Sequence, residues 1–344
     1  MRRLLTIRGI VALLVIAAVG VASYRYFLAD IHAPIAGISA SATYDVPRGA
    51  SLTSVLRDLK ARGWLTHPRA VALWARYMRP DIKLRAGEYE LNEGMTTLDL
   101  LELLASGRVL LHKLTIVEGS SLRDLRRLLA AQPDLEPTTR DWSESKLLQT
   151  LAPKNRNFPT LEGLFYPDTY RFPKGTSDLD ILKLARDRMQ TELERAWNSR
   201  DVAVPLANPY EALILASIVE KETALGSERP VIAGVFTERL RRGMRLQTDP
   251  TVIYGIGADY DGNIRRADLT RDGPYNTYTR AGLPPTPICM PGAAALMAAV
   301  RPQTTGALFF VATGNGDGGH YFSKTLEEHN IALQKYLRTL RQRR

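Results

Sequence analysis

The sequence predicts an α+β protein carried behind a single N-terminal transmembrane helix. Three observations lead there. Arg2, Arg3 and Arg8 precede an apolar run that begins at Gly9 and Ile10 and continues to Leu28. Short strand patterns then alternate with short, serine- or threonine-capped helix patterns. Longer helical patterns and one hairpin signal fill the remainder.

The run 10–23 alone is short for a span, since a membrane helix needs roughly 20 residues. The flanks at 4–7 and 24–28 supply the missing length. Arg8 and Arg25 can snorkel, and Tyr24, Tyr26 and Phe27 suit the bilayer interface. The positive charge leads the run, which places the N-terminus in the cytoplasm and the rest outside. Aromatic and charged neighbours around Ala22, Ser23 and Ala29 make a poor cleavage site, so an uncleaved anchor is expected rather than a signal peptide.

Residues 30–42 are small and lack helical or strand period, so they read as a linker. A folded region is expected from Thr43. Residues 46–59 read as a strand end, a Gly turn, a Ser51 cap and an amphipathic helix. Residues 117–129 repeat that grammar, with Ser120 or Ser121 as cap. Between the two lie a helix at 68–77, a strand at 87–91 and a helix at 97–106 capped by Thr96 or Thr97. Residues 131–175 are polar and Pro-rich, with a dense aromatic strand or loop at 162–172. A helix from Ser177 to Trp197 buries Leu182, Ala185, Met189, Leu193 and Ala196 at three- and four-residue steps. Asn208 and Pro209 open the next helix with a favourable cap and a first-turn proline.

The chain has 344 residues, 45% hydrophobic and 24% charged, which is the composition of a folded protein and not of a disordered one. Its net charge of +10 fits an anionic partner such as nucleic acid, acidic lipid or cell-wall polymer. Charge alone does not choose among them. Arginines at helical spacing (Arg123, Arg126, Arg127; Arg239, Arg241, Arg242) read first as solvated helix faces. The one cysteine, Cys289, permits no intramolecular disulfide, and no zinc-type Cys/His spacing exists.

The chemistry concentrates in the helix after Pro209. Leu213, Ile214, Leu215, Ala216, Ile218 and Val219 make it apolar on all sides, and two carboxylates, Glu220 and Glu222, end it. A buried carboxylate responds by raising its pKa, and a glutamic acid kept neutral near pH 7 can protonate a leaving oxygen. The negative end of the helix dipole pushes the same way. Glu220 and Glu222 lie about 200° apart around the helix, so they are not a catalytic pair. Glu220 shares its face with the small residues Ala216 and Ser217, where a ligand or a crossing segment can approach. From spacing alone, either glutamate is equally free to pair with Lys221, Arg229 or Arg239.

Residues 216–224, 227–229, 235–240 and above all 243–255 (Gly-Met-Arg-Leu-Gln-Thr-Asp-Pro-Thr-Val-Ile-Tyr-Gly) closely resemble the MltG (YceG-like) family of endolytic murein transglycosylases. The resemblance continues through 275–278, 282–285, 291–292, 309–312 and 319–320, and back over 162–163 and 166–169. It covers nearly the whole chain, including a LysM-like module ahead of the catalytic region. It implies residues 1–29 as cytoplasmic tip and span, 30–42 as linker, 43–115 as the LysM-like module and 116–344 as the catalytic domain.

The resemblance also implies that Glu220 is the single acid/base catalyst. The bond cut would be the β-1,4 link between N-acetylmuramic acid and N-acetylglucosamine, leaving a 1,6-anhydro sugar. One carboxyl group suffices, because the sugar's own C6 hydroxyl closes on C1; ordinary glycosidases need two. Gln247, Thr248 and Asp249 offer amide, hydroxyl and carboxylate to a sugar, and Tyr254 a stacking ring; Tyr275, Asn276 and Tyr278 offer the same kinds of group. Equally, Tyr254 and Tyr278 fit a core, and Asp249 fits a helix cap before Pro250. The implied partners are peptidoglycan glycan strands, penicillin-binding peptidoglycan synthases and the inner membrane, not nucleic acid. Neither metal nor cofactor is implied.

Other motifs fail on inspection. Gly255 and Gly257 lack a third glycine and read as a turn. The acidic string 259–263 has its glycine misplaced for calcium and Thr270 at position twelve. Residues 315–319 read as a hairpin turn, and His320 as a positioned hydrogen-bonder. Two rival functions remain open: a two-carboxylate glycoside hydrolase using Glu220 with Asp249, and a non-catalytic wall-binding anchor.

Overall fold

The computed structural model describes residues 2–38, 42–152 and 158–343. The chain divides into two compact units, one of Met1–His112 with Arg171–Gly175, the other of Lys113–Tyr170 with Thr176–Arg344.

The first unit begins with helix α1 (Arg2–Ile31), whose stretch Gly9–Ile31 has a mean hydropathy of 2.0 over its most apolar window. This helix is long and apolar enough to cross a membrane. There follow β1 (Ala42–Val46), α2 (Leu52–Ala61), α3 (Pro68–Met78), β2 (Gly87–Leu91) and α4 (Thr97–Ser106). Strands β1 and β2 pair antiparallel with Tyr44 opposite Tyr89. Tyr44 and Val46 alternate with exposed neighbours, so one face of this two-stranded sheet is buried against Leu56, Leu59, Val71 and Leu101. Ser51 caps α2 by accepting the Ser54 N–H at 3.1 Å, and Thr96 with Asp99 closes a capping box on α4.

The expected linker at 30–42 is corrected. Helix α1 runs on to Ile31, and Ile31, Ile35 and Ile38 are buried in the core of this unit. The Ile35 N–H donates to the Met95 carbonyl at 2.8 Å. Three isoleucines at four- and three-residue steps are an anchoring pattern that the small residues around them conceal. Residues 39–41 lie outside the described residues.

After β3 (Leu111–Thr115), the second unit continues through α5 (Leu122–Ala130), β4 (Leu135–Glu136), α6 (Glu144–Leu151), β5 (Thr169–Pro173), β6 (Thr176–Ser177) and α7 (Asp178–Asn198). Its centre is α8 (Pro209–Glu222), followed by α9 (Arg229–Arg241), α10 (Asp249–Ile256), α11 (Arg266–Thr270) and α12 (Ala293–Val300). The chain closes with β7 (Phe309–Ala312), β8 (His320–Ser323) and α13 (Leu326–Gln342). Strands β7 and β8 form the expected hairpin, with Ala312 opposite His320. Ser121, not Ser120, caps α5, in a box with Asp124. Helix α6 lies in the stretch that reads as polar and Pro-rich; Leu147 and Leu151 bury its one apolar face.

Helix α8 passes through the middle of this unit, with Ala212 to Val219 all buried. Asn208 caps it by accepting the Glu211 N–H at 3.0 Å.

Candidate active site

The small-residue face of α8 is crossed by residues 286–292. The Ser217 hydroxyl accepts the Ile288 N–H at 3.0 Å, and the Cys289 thiol donates to the Ser217 carbonyl at 3.3 Å. Four residues further on, the Gly292 N–H donates to Oε2 of Glu220 at 2.9 Å. From the start of α9, Arg229 Nη2 donates to Oε1 of Glu220 at 2.7 Å. The Glu220 side chain is 4% exposed. Burial pushes its carboxyl pKa above the ordinary carboxylate range; the Gly292 N–H and the Arg229 guanidinium pull back without cancelling the effect.

A further carboxylate stands beside this pair. Glu118, 47% exposed, lies 3.8 Å from the same Arg229 nitrogen, and its charge adds to the upward push on Glu220. A Cβ at Gly292 would fall 1.8 Å from Glu118 Oε1, so the glycine lets the backbone N–H reach Glu220 while Glu118 keeps its place. Lys221, the next residue, donates to the Gly119 carbonyl at 3.3 Å and ties that loop to α8.

Glu222 faces elsewhere, as a 200° separation requires. It accepts the Thr248 hydroxyl, and burial lifts its pKa to about 7, with the Asp249 charge assisting. Thr248 is the cap residue of α10 and donates its backbone N–H to the Thr277 hydroxyl oxygen at 3.1 Å. Asp249 is the first helical residue and makes no cap; it accepts the Tyr278 O–H at 2.6 Å. Gln247 is exposed and holds the only non-glycine positive φ among the described residues, +48°. A left-handed glutamine is disfavoured, and the bond from its N–H to the Thr277 carbonyl (3.1 Å) helps hold it there.

A third group surrounds Glu162, which is 3% exposed. It accepts the Leu122 N–H at 2.9 Å and the Tyr254 O–H at 3.1 Å, and burial raises its pKa to about 7. The rings of Tyr254 and Tyr275 meet edge to face at 4.9 Å. Tyr275 shares a hydrogen bond with Thr286 at 2.8 Å. Gly163, at φ +77°, lets Pro287 approach to where a Cβ would stand 2.5 Å away, so this loop packs directly on the crossing segment.

The expected sugar-binding residues thus separate. Gln247, Thr248, Asp249 and Tyr278 gather with Glu222, while Tyr254 and Tyr275 gather with Glu162. Asn276 is buried and fully engaged: its amide N–H groups donate to the carbonyls of Asp268, Leu269 and Arg271, and its oxygen accepts the Tyr278 N–H at 2.9 Å. Thr248 and Asn276 therefore shape the loops, leaving Gln247 and Asp249 as the exposed polar groups. Gly255 is helical within α10 and only Gly257 turns, as its C-cap at φ +70°; the pair is not a turn by itself. His320 donates its backbone N–H to Glu228 Oε1 at 2.9 Å, and its Nδ1 lies 2.7 Å from Glu228 Oε2.

Sequence reading alone gives no role in the site to Glu118, Gly292 or Glu162, although 162–163 and 291–292 fall in segments that carry the family resemblance. Glu118 sits two residues before a run that reads as a helix cap, and Glu162 in front of an aromatic string. Nothing local marks either as part of a site.

A mixed helix-and-sheet protein with three carboxylates displaced toward neutrality around one buried helix has the makings of an acid/base site. The YceG-like family model matches residues 44–335. A Bacillus subtilis protein named endolytic murein transglycosylase is 30% identical over 308 residues, 85% of this chain and 84% of that one. A Streptococcus pneumoniae protein of the same name is 29% identical over 361 residues, covering 95% of this chain and 64% of its own length. The crystal structure of a yceG-like protein from Listeria monocytogenes aligns with a TM-score of 0.53 at 32% identity, over 86% of this chain and 99% of that one. The chain belongs to the YceG-like family.

Proposed function

We propose that this protein is a membrane-anchored endolytic transglycosylase of peptidoglycan, with Glu220 as its acid/base catalyst. The observation that carries the reading is the setting of Glu220: buried, raised in pKa, and held in one orientation by the Gly292 N–H and Arg229. The names of the relatives in Bacillus and Streptococcus support the substrate class.

In its neutral form Glu220 gives its proton to the glycosidic oxygen between N-acetylmuramic acid and N-acetylglucosamine as the C1–O bond breaks. As carboxylate it then takes the proton of the C6 hydroxyl, whose oxygen bonds to C1 and closes the 1,6-anhydro ring. Protons balance, and no water is consumed. The Arg229 guanidinium and the Gly292 N–H stabilise the carboxylate that exists between the two steps. Gln247, Asp249, Tyr254, Tyr275 and Tyr278 contact the sugars, on segments fixed by Thr248 and Asn276. Residues 43–115, which make up most of the first unit, act as a LysM-like module ahead of a catalytic domain at 116–344. Helix α1 crosses the inner membrane with its N-terminus in the cytoplasm, and the remainder works on nascent strands beside penicillin-binding synthases.

The test is digestion of purified peptidoglycan by the full chain, with mass spectrometry of the products. Anhydro-muramic ends are expected. Reducing ends in their place would favour a hydrolase, and intact strands a binding anchor. Asp249 is a weak second carboxylate for hydrolysis, because its oxygen accepts from Tyr278 and its nearest carboxylate influence falls on Glu222.

A further inference from the structure

Helix α3 carries an exposed apolar stripe that none of the described residues of the first unit covers. Leu73 is 60% exposed, Tyr77 69% and Met78 60%. At 100° per residue, Leu73, Tyr77, Ala70, Trp74 and Met78 lie side by side around the helix, in that order, next to the buried pair Val71 and Ala75. Trp74 at the inner margin of the stripe meets Phe27 of α1, ring to ring at 6.5 Å. On the other flank lie Arg69 and Arg76, facing a groove of about 1140 Å³ between α2 and α3 that Arg57 and Lys60 also line. Among the described residues no carboxylate pairs with any of these four cations. Arg79, by contrast, is occupied by Asp81 and Glu102.

The position of this surface along α1 indicates what covers it. Tyr26 is 70% exposed on α1, whereas Ile31 is buried in the core of the unit. Five helical residues rise about 7.5 Å, close to the depth of one headgroup layer, which is about 5–8 Å. The helix does not break between the apolar stretch and the unit, so the unit has no tether on which to swing away. A tryptophan–tyrosine–leucine stripe beside unpaired arginines is the composition of a helix lying in a membrane interface.

We propose that α3 is such an interfacial helix, and that the α2–α3 groove binds the headgroups of anionic phospholipid in the leaflet α1 crosses. This rests on the reading of α1 as a membrane span. The bilayer holds the first unit by two contacts, the span and the α3 face, and so fixes its height above the membrane.

The experiment uses the full chain in lipid nanodiscs, with Leu73→Cys carrying an environment-sensitive fluorophore. Cys289, the sole native cysteine, is fully buried and does not compete for label. With phosphatidylglycerol discs, quenching by a lipid-borne nitroxide should exceed that in phosphatidylcholine discs by about twofold or more, and should weaken at 1 M salt, where the Debye length falls to about 3 Å. Changing Arg57, Lys60, Arg69 and Arg76 together to Gln should bring the phosphatidylglycerol signal down to the phosphatidylcholine level without altering the melting temperature. A label that stays fully open to aqueous iodide in both lipids, while the chain co-elutes with the disc, overturns the proposal alone. A chain that never enters the disc removes the span and this proposal with it.

Discussion

Two glutamates at one helix end, two residues apart, meet opposite surroundings. Glu220 has a guanidinium, a backbone N–H and a second carboxylate around it, and its charged form is partly supported. Glu222 is buried with one hydroxyl donor and feels the Asp249 charge more than that of either His320 or Arg239, so its pKa rises to about 7. An acid that must become a base within one turnover needs both protonation states within reach. The Glu220 setting supports the carboxylate through hydrogen bonds from a guanidinium and a backbone N–H, whereas, among the described residues, the Glu222 setting has only the Thr248 hydroxyl to do so. The Glu222 setting suits a carboxyl that holds the 247–249 segment in place.

The largest expected effect breaks this comparison at its centre. Glu220→Gln keeps both hydrogen-bond acceptance and shape but carries no transferable proton, so the release of anhydro-muropeptides should fall by at least ~10²-fold. Glu222→Gln should keep activity within about tenfold of wild type, because an amide can still accept from Thr248. Both are read as initial rates on purified peptidoglycan, alongside a melting curve. The reverse ranking in two folded variants would transfer the acid/base role to Glu222.

Next in size is Arg229→Gln. The guanidinium favours the Glu220 carboxylate, so its loss should raise the Glu220 pKa further and move the alkaline descending limb of the pH–rate profile to higher pH. On that limb the shift should appear as about a threefold or larger change in relative rate. A profile displaced to lower pH, or unmoved, shows that Arg229 serves another purpose.

Glu162 is tested through stability rather than through rate. Its folded pKa of about 7 lies above the ordinary 4.5, so the folded state holds a proton that the unfolded state has released. Its contribution is fully present below about pH 4.5 and is lost as pH rises through about 7. Glu162→Gln removes that loss. At pH 8 the variant should be more stable by about 1–3 kcal/mol, with the advantage vanishing near pH 4. Chemical denaturation at the two pH values measures it; a variant less stable at pH 8 would mean that the Tyr254 and Leu122 bonds require the carboxylate.

How far the sequence shows all this depends on the range of the interactions. Helix caps act over three residues, and Ser51, Thr96, Ser121, Ser177 and Asn208 each cap the helix that the local pattern marks. The β7–β8 hairpin and the apolar α8 are legible for the same reason. Glu220 meets Gly292 across 72 residues and Tyr254 meets Glu162 across 92, and no periodicity carries such pairings. The small-residue face of α8 signals that something crosses it without saying what. Asn276 has the chemistry of a sugar ligand but spends its amide on three carbonyls and one N–H, which only the folded loop reveals. The segment 30–42 misleads because three isoleucines among small residues look like spacing when they are in fact core.

The smallest expected effect is the finest test of the Glu220 surroundings. Glu118 does not touch Glu220 in any hydrogen bond; it acts through space and through the arginine they share. Its negative charge raises the Glu220 pKa, while its pairing with Arg229 diverts part of the cation. Both influences disappear in Glu118→Gln, and both removals favour the Glu220 carboxylate. The descending limb should therefore move to lower pH, the direction opposite to Arg229→Gln. Because Glu118 is half exposed, water and salt screen it, and the displacement should shrink further when ionic strength rises from 0.01 to 1 M, as the Debye length contracts from about 30 to about 3 Å. The Arg229 displacement, made across a buried 2.7 Å contact, should survive the same salt. A Glu118 effect indifferent to salt would mean that this side chain contacts the substrate directly instead of tuning the acid beside it.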